Sequence, residues 1–203
     1  MMNKGLLFVV SGPSGTGKGT ICSMILSDVN AELSVSMTTR NPRPGEVDGK
    51  SYNFVSKAEF ESMIGEDGFL EYAQVYGNYY GTPKQDVLSK LEAGSDVILE
   101  IDVQGALQIK KRYPEAVLIF ILPPSMAELR NRIKARGSET EDAIKLRMSE
   151  AMSEISHIEE YNYYIVNKSL GEAVARAKAV VAAAHSLVTK DTCDLIEKYR
   201  EEI

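Results

Sequence analysis

A glycine-rich segment with a single lysine lies near the start of the chain. Glycines at positions 12, 15, 17 and 19 surround Lys18, between an apolar run at Leu6–Val10 and a helical pattern at Thr20–Leu26. Glycines let backbone N–H groups approach an anion closely, and the following helix directs its own N–H groups and dipole at the same point. Strand, glycine loop, lysine and helix in this order are the pattern of a nucleotide phosphate loop. A glycine-rich turn that only opens a helix explains the spacing less well.

The residue after this lysine departs from the usual pattern. That pattern has Ser or Thr there, with its hydroxyl on Mg²⁺, whereas this chain has Gly19 followed by Thr20. One helical residue rotates a side chain by about 100°, so Thr20 is not a simple substitute. The sequence therefore leaves open which protein oxygen, if any, faces the metal ion.

Two arginines lie on a segment that cannot form a regular helix. Arg40 and Arg43 are three residues apart in a stretch that also carries Pro42, Pro44 and Gly45. Arginines on a rigid loop can converge on one anion, as in a phosphate clamp. Two solvated surface arginines are an equally good interpretation of this segment alone.

Carboxylates occur in two further predicted strands. Glu71 lies within the alternating strand Phe69–Val75, and Glu100 and Asp102 end the apolar run that begins at Asp96. Acids at the C-terminal end of a core strand are typical of a site that supports a nucleotide-bound metal ion. The alternative is a strand end whose acids face water.

A charged helical hairpin is predicted over residues 125–157. Its arginines flank a predicted glycine hinge, and they are Arg130, Arg132, Arg136 and Arg147. Such a hairpin can be a lid that closes over phosphates. A solvated helical pair held by ion pairs is the commoner role of such a sequence.

The remaining pattern indicates the elements that position these residues. Core strands are predicted at Leu6–Val10, Asp96–Asp102, Val117–Leu122 and Tyr163–Asn167, with helices between them. This alternation predicts an α/β fold, a doubly wound parallel β-sheet core with helices on both faces. Its ligand crevice lies at the C-terminal ends of the strands.

Residues 34–82 contain too many elements for a plain crossover. Short strands are predicted at Leu33–Met37, Tyr52–Val55 and Phe69–Val75, with a small helix opened by a capping box at Ser56. These elements indicate an inserted small mixed-β subdomain. Thr82 is the predicted N-cap of the helix that follows it, and Ser138 is the predicted N-cap of the second hairpin helix.

Composition limits the classes of protein that this chain can belong to. Its 203 residues, 44% hydrophobic and 26% charged, suit one compact domain with insertions. A net charge of −6 argues against a polymeric nucleic acid partner but permits a small anionic ligand. We expect a cytoplasmic protein without disulfide or membrane span, because the two cysteines are unpaired in spacing and no signal peptide or long apolar run is found.

Seven segments, taken in order, extend over nearly the whole chain. They are Ser11–Thr20, Ser36–Glu46, Phe69–Glu71, Gly77–Gly81, Asp102–Gly105, Pro123–Ser125 and Arg136–Glu141. Together they resemble the guanylate kinase family. The resemblance implies an enzyme that converts ATP and GMP to ADP and GDP with Mg²⁺, in purine nucleotide metabolism and GMP recycling. We expect dGMP as a further acceptor, although the sequence does not determine the tolerance for it.

The resemblance also implies roles for individual residues. The implied ATP-binding residues are Gly12, Pro13, Ser14, Gly15, Thr16, Gly17, Lys18, Gly19, Thr20 and Asn167. The implied GMP-binding residues are Arg40, Arg43, Tyr52 and Tyr80 at the phosphate, together with Ser36, Glu71, Gly81, Thr82 and Asp102 around the base. The implied catalytic residues are Lys18, Arg136 and Arg147. The candidate residues facing the metal ion, partly through water, are Thr20, Glu100 and Asp102.

In this family the inserted subdomain, residues 34–82, binds GMP, and the lid, residues 125–157, covers ATP. The core is then residues 1–33, 83–124 and 158–203. Two other functions fit less well. Silent guanylate kinase-like binding modules have degraded phosphate loops, whereas this loop keeps its lysine and glycines. A related kinase for another small phosphate acceptor is disfavoured by Ser36, Glu71 and Tyr80. The sequence does not determine whether the protein is a monomer or a dimer.

The implied base site has a chemical rationale. Guanine presents N1–H and an exocyclic NH₂ side by side, and the Glu71 carboxylate can accept both hydrogen bonds. The Ser36 hydroxyl can donate to O6. Adenine would leave the desolvated carboxylate unpaired, and sites built on such hydrogen bonds reject analogues by roughly 10⁴-fold or more.

Overall fold

The computed structural model describes residues 4–75, 77–135, 140–188 and 190–203. Its strands are β1 (Leu7–Ser11), β2 (Ala31–Leu33), β3 (Met37–Thr38), β4 (Asn53–Phe54), β5 (Phe69–Val75), β6 (Asn78–Pro83), β7 (Asp96–Glu100), β8 (Val117–Leu122) and β9 (Tyr163–Val166). Its helices are α1 (Lys18–Leu26), α2 (Lys57–Gly65), α3 (Lys84–Glu92), α4 (Val103–Arg112), α5 (Met126–Ala135), α6 (Glu141–Ile155), α7 (Leu170–Ala184) and α8 (Lys190–Glu201).

The larger sheet has the strand order β2-β7-β1-β8-β9, and all of its neighbouring strands are parallel. Side chains alternate between its two faces, as a pleated strand requires. On β1, Phe8 and Val10 pack in the cluster with α1 and α7, whereas Leu7 and Val9 pack in the cluster with α3 and α4. The predicted doubly wound parallel sheet with helices on both faces is therefore confirmed.

The smaller sheet has the order β4-β3-β6-β5. It is mixed, because β3 pairs with β4 in parallel, while β6 is antiparallel to both β3 and β5. Helix α2 packs through Phe60, whose ring stacks on Phe69 at 4.2 Å and on Tyr79 at 5.2 Å. Ser56 opens α2 with the predicted capping box, reciprocal with Glu59. The predicted mixed-β unit is thus present.

Helices α5 and α6 form the predicted hairpin. They share a small core of their own, formed by Leu129, Ile133, Ile144 and Ala151. Arg130 and Lys134 on α5 each pair with Glu141 at the start of α6, both at 2.6 Å. In the described part of the chain no helix, this pair included, is long and apolar enough to cross a membrane.

The predicted strand Leu33–Met37 is wrong as a single element. Leu33 pairs with Ile98 in the larger sheet, and Met37 pairs with Gly81 in the smaller one. The three residues between them cross from one sheet to the other. The alternating pattern therefore belongs to two short strands.

Two helix starts also differ from the prediction. Helix α3 follows Pro83 as its N-cap, because Thr82 is still part of β6 and its hydroxyl donates to Glu71. The N-cap of α6 is Thr140, whose hydroxyl accepts from the Ala143 N–H at 3.3 Å. The predicted cap, Ser138, lies outside the described residues.

Candidate active site

The loop between β1 and α1 has the conformation that its glycines allow. Gly12 and Gly17 have φ angles of 134° and 90°, which side-chain-bearing residues rarely adopt. A Cβ on Gly12 would lie 2.4 Å from the Ile121 carbonyl oxygen, and one on Gly17 would lie 2.6 Å from the Asn167 amide nitrogen. The loop borders a first cavity of about 290 Å³ at the N-terminus of α1, lined by Ser14, Gly15, Gly17, Lys18, Gly19, Thr20 and Glu100. Backbone N–H groups and a helix N-terminus thus surround a space that suits phosphates.

Lys18 is folded onto its own loop. Its Nζ donates to the carbonyl oxygens of Gly12 and Pro13 at 2.5 and 3.1 Å. Burial lowers the pKa of this lysine, and the nearby carboxylates of Glu100 and Glu154 oppose the change. Lys18 lines the first cavity and also a second one described below. A cation is therefore available where the two cavities meet.

Gly19, where the chain departs from the usual phosphate-loop pattern, lies beside the Glu100 carboxylate. A Cβ there would lie 3.3 Å from both carboxylate oxygens of Glu100, so the missing side chain leaves room for that carboxylate beside the loop. Burial raises the pKa of Glu100, and Lys18 opposes the change. Thr20 is exposed at the rim of the first cavity. Glu100, and not the residue after Lys18, brings an oxygen close to the loop.

Two side chains from other elements contact this loop. The Asn167 amide nitrogen donates to the Thr16 carbonyl oxygen at 2.8 Å, and the residue is buried. Arg147 reaches the loop from α6 and donates to the Ser14 hydroxyl at 2.7 Å. Asn167 thus holds the loop backbone, and Arg147 connects the hairpin to it. The predicted Arg136 lies outside the described residues.

The second cavity, of about 380 Å³, lies between the phosphate loop and the smaller sheet. Its lining includes Gly12, Ser14 and Lys18 from the loop, Ser36, Tyr52, Glu71, Ala73, Val75, Tyr80 and Gly81 from the inserted region, and Glu100, Ile101, Asp102 and Glu154 from the core and α6. Most of the residues predicted around GMP therefore lie together. Because Lys18 and Glu100 line both cavities, a group in one can meet a group in the other.

Glu71 is a buried carboxylate in this second cavity. Only 5% of its surface is exposed, and its Oε1 accepts from the Thr82 hydroxyl at 2.6 Å. Burial raises the pKa of Glu71 to about 7, the Thr82 hydrogen bond opposes the change and the Asp102 charge adds to it. Thr82 is itself fully buried, so it positions the carboxylate. Burial and the Thr82 hydrogen bond thus hold a carboxyl group with a raised pKa in one orientation in this cavity.

The predicted phosphate clamp is partly assembled beside the cavity. Arg40 Nε donates to the Tyr80 hydroxyl at 3.2 Å, and the Arg40 Cζ lies 5.5 Å from the centre of the Tyr52 ring. The rings of Tyr52 and Tyr80 meet edge to face at 5.9 Å. Both tyrosines line the cavity, with Arg40 beside them, whereas Arg43 is exposed. The structure brings three of the four predicted residues together and leaves Arg43 in solvent.

Asp102 has a structural contact as well as a place in the cavity. The core strand ends at Glu100 rather than at Asp102, and Asp102 is the N-cap of α4, where its Oδ1 accepts from the Gly105 N–H at 2.8 Å. In the described residues no three His, Cys, Asp or Glu side chains cluster as a metal site. A Mg²⁺ ion would therefore need oxygen ligands from phosphates and water besides the carboxylates of Glu100 and Asp102.

Sequence reasoning gave no site role to Gly105, although it lies in the segment Asp102–Gly105, or to Glu154. A Cβ at Gly105 would lie 2.6 Å from Glu71 Oε2, a contact between distant segments that no local pattern indicates. Glu154 Oε2 is buried without a hydrogen-bond partner in the described residues, and burial raises its pKa. Glu154 follows Arg147 by seven residues, or two helical turns. That spacing is the signal that could have placed both side chains on the loop-facing side of α6.

Comparisons with known proteins agree with this arrangement. The sequence profile of a family described as guanylate kinase matches residues 4–184. The guanylate kinase of Clostridium tetani is 57% identical over 182 residues, which cover 90% of this chain and 88% of the relative. The guanylate kinase of Caldanaerobacter subterraneus subsp. tengcongensis is 54% identical over 200 residues, 98% and 97% of the two chains.

A solved structure agrees as well. The crystal structure of guanylate kinase from Anaplasma phagocytophilum superposes with a TM-score of 0.74 at 36% sequence identity, covering 89% of this chain and 86% of that one. The profile match at residues 4–184 includes the loop, the inserted region and the hairpin. This chain belongs to the guanylate kinase family.

Proposed function

We propose that this chain transfers the terminal phosphoryl group of ATP to GMP, giving ADP and GDP. Family membership supports the reaction. The observation that carries it is the buried Glu71 carboxylate, held by Thr82 in a cavity that Lys18 joins to the phosphate-loop cavity. A base reader and a phosphate loop on one continuous cleft suit a transfer between two nucleotides.

On the donor side, the first cavity would hold the ATP phosphates. The loop N–H groups and the N-terminus of α1 supply donors and a partial positive charge. Lys18 would exchange its two carbonyl partners for phosphate oxygens, a charge-assisted contact that is stronger than a neutral one. The Asn167 side chain would act by holding the loop backbone through Thr16.

On the acceptor side, the second cavity would hold GMP. The ionised Glu71 carboxylate would accept from guanine N1–H and the 2-amino group, and Ser36 would donate to O6. The hydroxyls of Tyr52 and Tyr80 together with Arg40 would hold the GMP phosphate. We extend the same site to dGMP, because none of these contacts involves the ribose 2′-hydroxyl.

The transfer itself would depend on positioning and charge. The reacting oxygens would lie in line, and the protein would stabilise charge on the moving group. Lys18 lies where the two cavities meet, and Arg147 reaches the loop from the hairpin. Arg136 is included with them by family resemblance. Closure of the hairpin would exclude water, which otherwise competes as acceptor.

The residues beside the loop fit a Mg²⁺ ion carried by the nucleotide. The two Glu100 oxygens lie next to the space that Gly19 leaves open, and carboxylate oxygens are ligands that this hard cation accepts. Thr20 and Asp102 would contribute through water. When bound, the ion neutralises phosphate charge. The proposal includes a cytoplasmic location, where ATP is at hand.

The test is ADP formation from ATP and Mg²⁺ with GMP, dGMP, AMP, UMP, CMP and dTMP offered separately. We expect rapid ADP formation with GMP and dGMP and little with the other four. Absence of ADP with every acceptor, from folded protein that binds GMP, would show a silent binding module. ADP with another acceptor would keep the kinase and overturn the assignment of Glu71.

A further inference from the structure

The Arg40 guanidinium is held by a carboxylate that the proposed reaction does not use. Glu46 accepts two parallel hydrogen bonds from it, Nη2 to Oε1 at 2.9 Å and Nη1 to Oε2 at 3.0 Å. The same Glu46 Oε2 accepts from the Arg43 backbone N–H at 2.7 Å. One carboxylate therefore fixes both arginines of the predicted clamp, one by its side chain and the other by its backbone.

This pair is partly buried. The side chains of Arg40 and Glu46 are 14% and 21% exposed, and the guanidinium also lies over the rings of Tyr52 and Phe54. The hydrogen bonds to Arg40 hold the pKa of Glu46 below its usual value. Ordered bidentate pairs of this kind are worth more than exposed single contacts.

Arg40 has little freedom left in this arrangement. A guanidinium has five N–H donors. Nε binds the Tyr80 hydroxyl, Nη1 binds Glu46 and the Asn41 carbonyl oxygen, and Nη2 binds Glu46. Within the described residues this leaves one Nη2 N–H for a ligand. The arginine is thus presented in one orientation, next to the Tyr80 hydroxyl that lines the cavity.

We propose that Glu46 is a positioning residue for the acceptor phosphate: it fixes Arg40 beside Tyr52 and Tyr80, and fixes the backbone at Arg43, before the nucleotide binds. This inference rests on the proposed function, because it assumes that the phosphate of GMP meets this clamp. Because Glu46 already holds Arg40 in place, Arg40 does not have to be ordered when GMP binds. Loss of Glu46 should therefore weaken binding of the phosphate.

The competing interpretation is that Glu46 occupies the place of the phosphate and is displaced by it. One observation opposes it. Displacement would leave the Arg43 backbone N–H without its carboxylate partner. The two interpretations predict opposite signs for the change in GMP affinity.

The test is the Glu46→Gln variant, with Glu61→Gln as the matched control. Glutamine keeps the size of the side chain but loses the charge and one acceptor. Glu61 is a half-exposed glutamate on α2 of the same inserted region, paired weakly with Lys57 at 3.6 Å. Binding of GMP and of guanosine is measured by calorimetry, and KM for GMP and for ATP by steady-state kinetics. Guanosine keeps the base and lacks the phosphate.

We expect Glu46→Gln to weaken GMP binding about tenfold or more, the loss expected for a charge-assisted contact. Guanosine binding and KM for ATP should stay within about twofold, the precision at which such contacts are compared. Glu61→Gln should change none of these values. Glu46→Asp, which keeps the charge on a shorter side chain, should recover part of the GMP affinity and also serves if the glutamine variant does not fold.

Three results would overturn the inference. Tighter GMP binding by Glu46→Gln would show displacement instead of positioning. Equal losses for GMP and guanosine would show a general structural role. Unchanged GMP binding would show no role at all. If the unsubstituted protein forms no ADP with GMP, the proposed function fails, a result that is separate from all three.

Discussion

Glu71 shows how the fold gives one side chain an unusual property. A carboxyl group ordinarily titrates near 4.5, and burial raises the pKa of Glu71 to about 7. Thr82 supplies one hydrogen bond to Oε1, and the absence of a side chain at Gly105 leaves the space that Oε2 occupies. The group is therefore poorly satisfied without a ligand. The two N–H donors on one edge of guanine would supply the hydrogen bonds that the protein itself does not give to this carboxylate.

This property predicts that Glu71→Gln stabilises the fold at high pH. Because the pKa is higher in the folded protein than in the unfolded chain, the folded state binds more protons between pH 4.5 and about 7, and stability falls as the pH rises through that window. Each pKa unit corresponds to about 1.4 kcal/mol. The free energy of unfolding of the variant minus that of the unsubstituted protein should therefore be larger at pH 8 than at pH 4.5, by about 2–3 kcal/mol.

Urea unfolding at the two pH values measures this difference. The variant is expected to lose activity with GMP while it gains stability, since the buried charge that costs stability is the proposed base reader. A stability difference that does not change with pH would show that Glu71 titrates at its ordinary value in the folded protein.

The role of Lys18 can likewise be tested by measuring stability and activity in one variant. Lys18→Met removes a part-buried ammonium whose pKa burial lowers, so the melting temperature should not fall. We expect kcat to fall about 10²-fold or more, the scale of losing one preorganised charge at a transition state. Lys57→Met, at a lysine that is 65% exposed on α2, is the control for loss of one positive charge. Full activity of Lys18→Met would contradict the phosphate-loop assignment.

At the scale of elements, the first turn of α4 lies unusually close to β5. A Cβ at Gly105 would lie 2.6 Å from Glu71 Oε2, although alanine is intrinsically the better helix former by about 1 kcal/mol. Gly105→Ala should therefore raise KM for GMP, because it displaces the carboxylate, and leave KM for ATP unchanged. Steady-state kinetics with each substrate varied in turn measures this.

Gly171 provides the matched control for that substitution. It lies in the first turn of α7, and a Cβ there would meet nothing within 4 Å. Gly171→Ala should leave both KM values unchanged and stabilise the fold slightly. Equal effects of the two substitutions on KM for GMP would contradict the account of α4.

Local patterns predicted most elements, and longer-range contacts decided the rest. The strands at Phe69–Val75 and Val117–Leu122 were predicted with their observed bounds, because apolar alternation and flanking turns are local signals. The segment at Leu33–Met37 was not, since pairing with β7 and with β6 divides it between two sheets. Helix α3 has Pro83 and not the predicted Thr82 as its N-cap, because the Thr82 hydroxyl donates to Glu71 instead of capping the helix.

At the scale of the whole molecule, the two sheets and the hairpin meet around one cleft. Its phosphate loop could be predicted from sequence, because glycine spacing and Lys18 are contiguous signals. Glu154 was not predicted as a site residue, because its place in the second cavity depends on how α6 lies against the loop, and only its spacing from Arg147 is a local signal. The arrangement explains why residues far apart in the chain, such as Lys18 and Glu71, line one cavity.

The measurement that tests the central claim most directly compares GMP with IMP as acceptors, in the unsubstituted protein and in Glu71→Gln. IMP keeps N1–H and O6 and lacks the 2-amino group, so the two acceptors differ by one donor to Glu71. We predict that kcat/KM favours GMP by about 10²-fold in the unsubstituted protein, as expected for one hydrogen bond to a buried charge. In the variant this preference should largely disappear. The same preference in both proteins would contradict the assignment of Glu71 as the guanine reader.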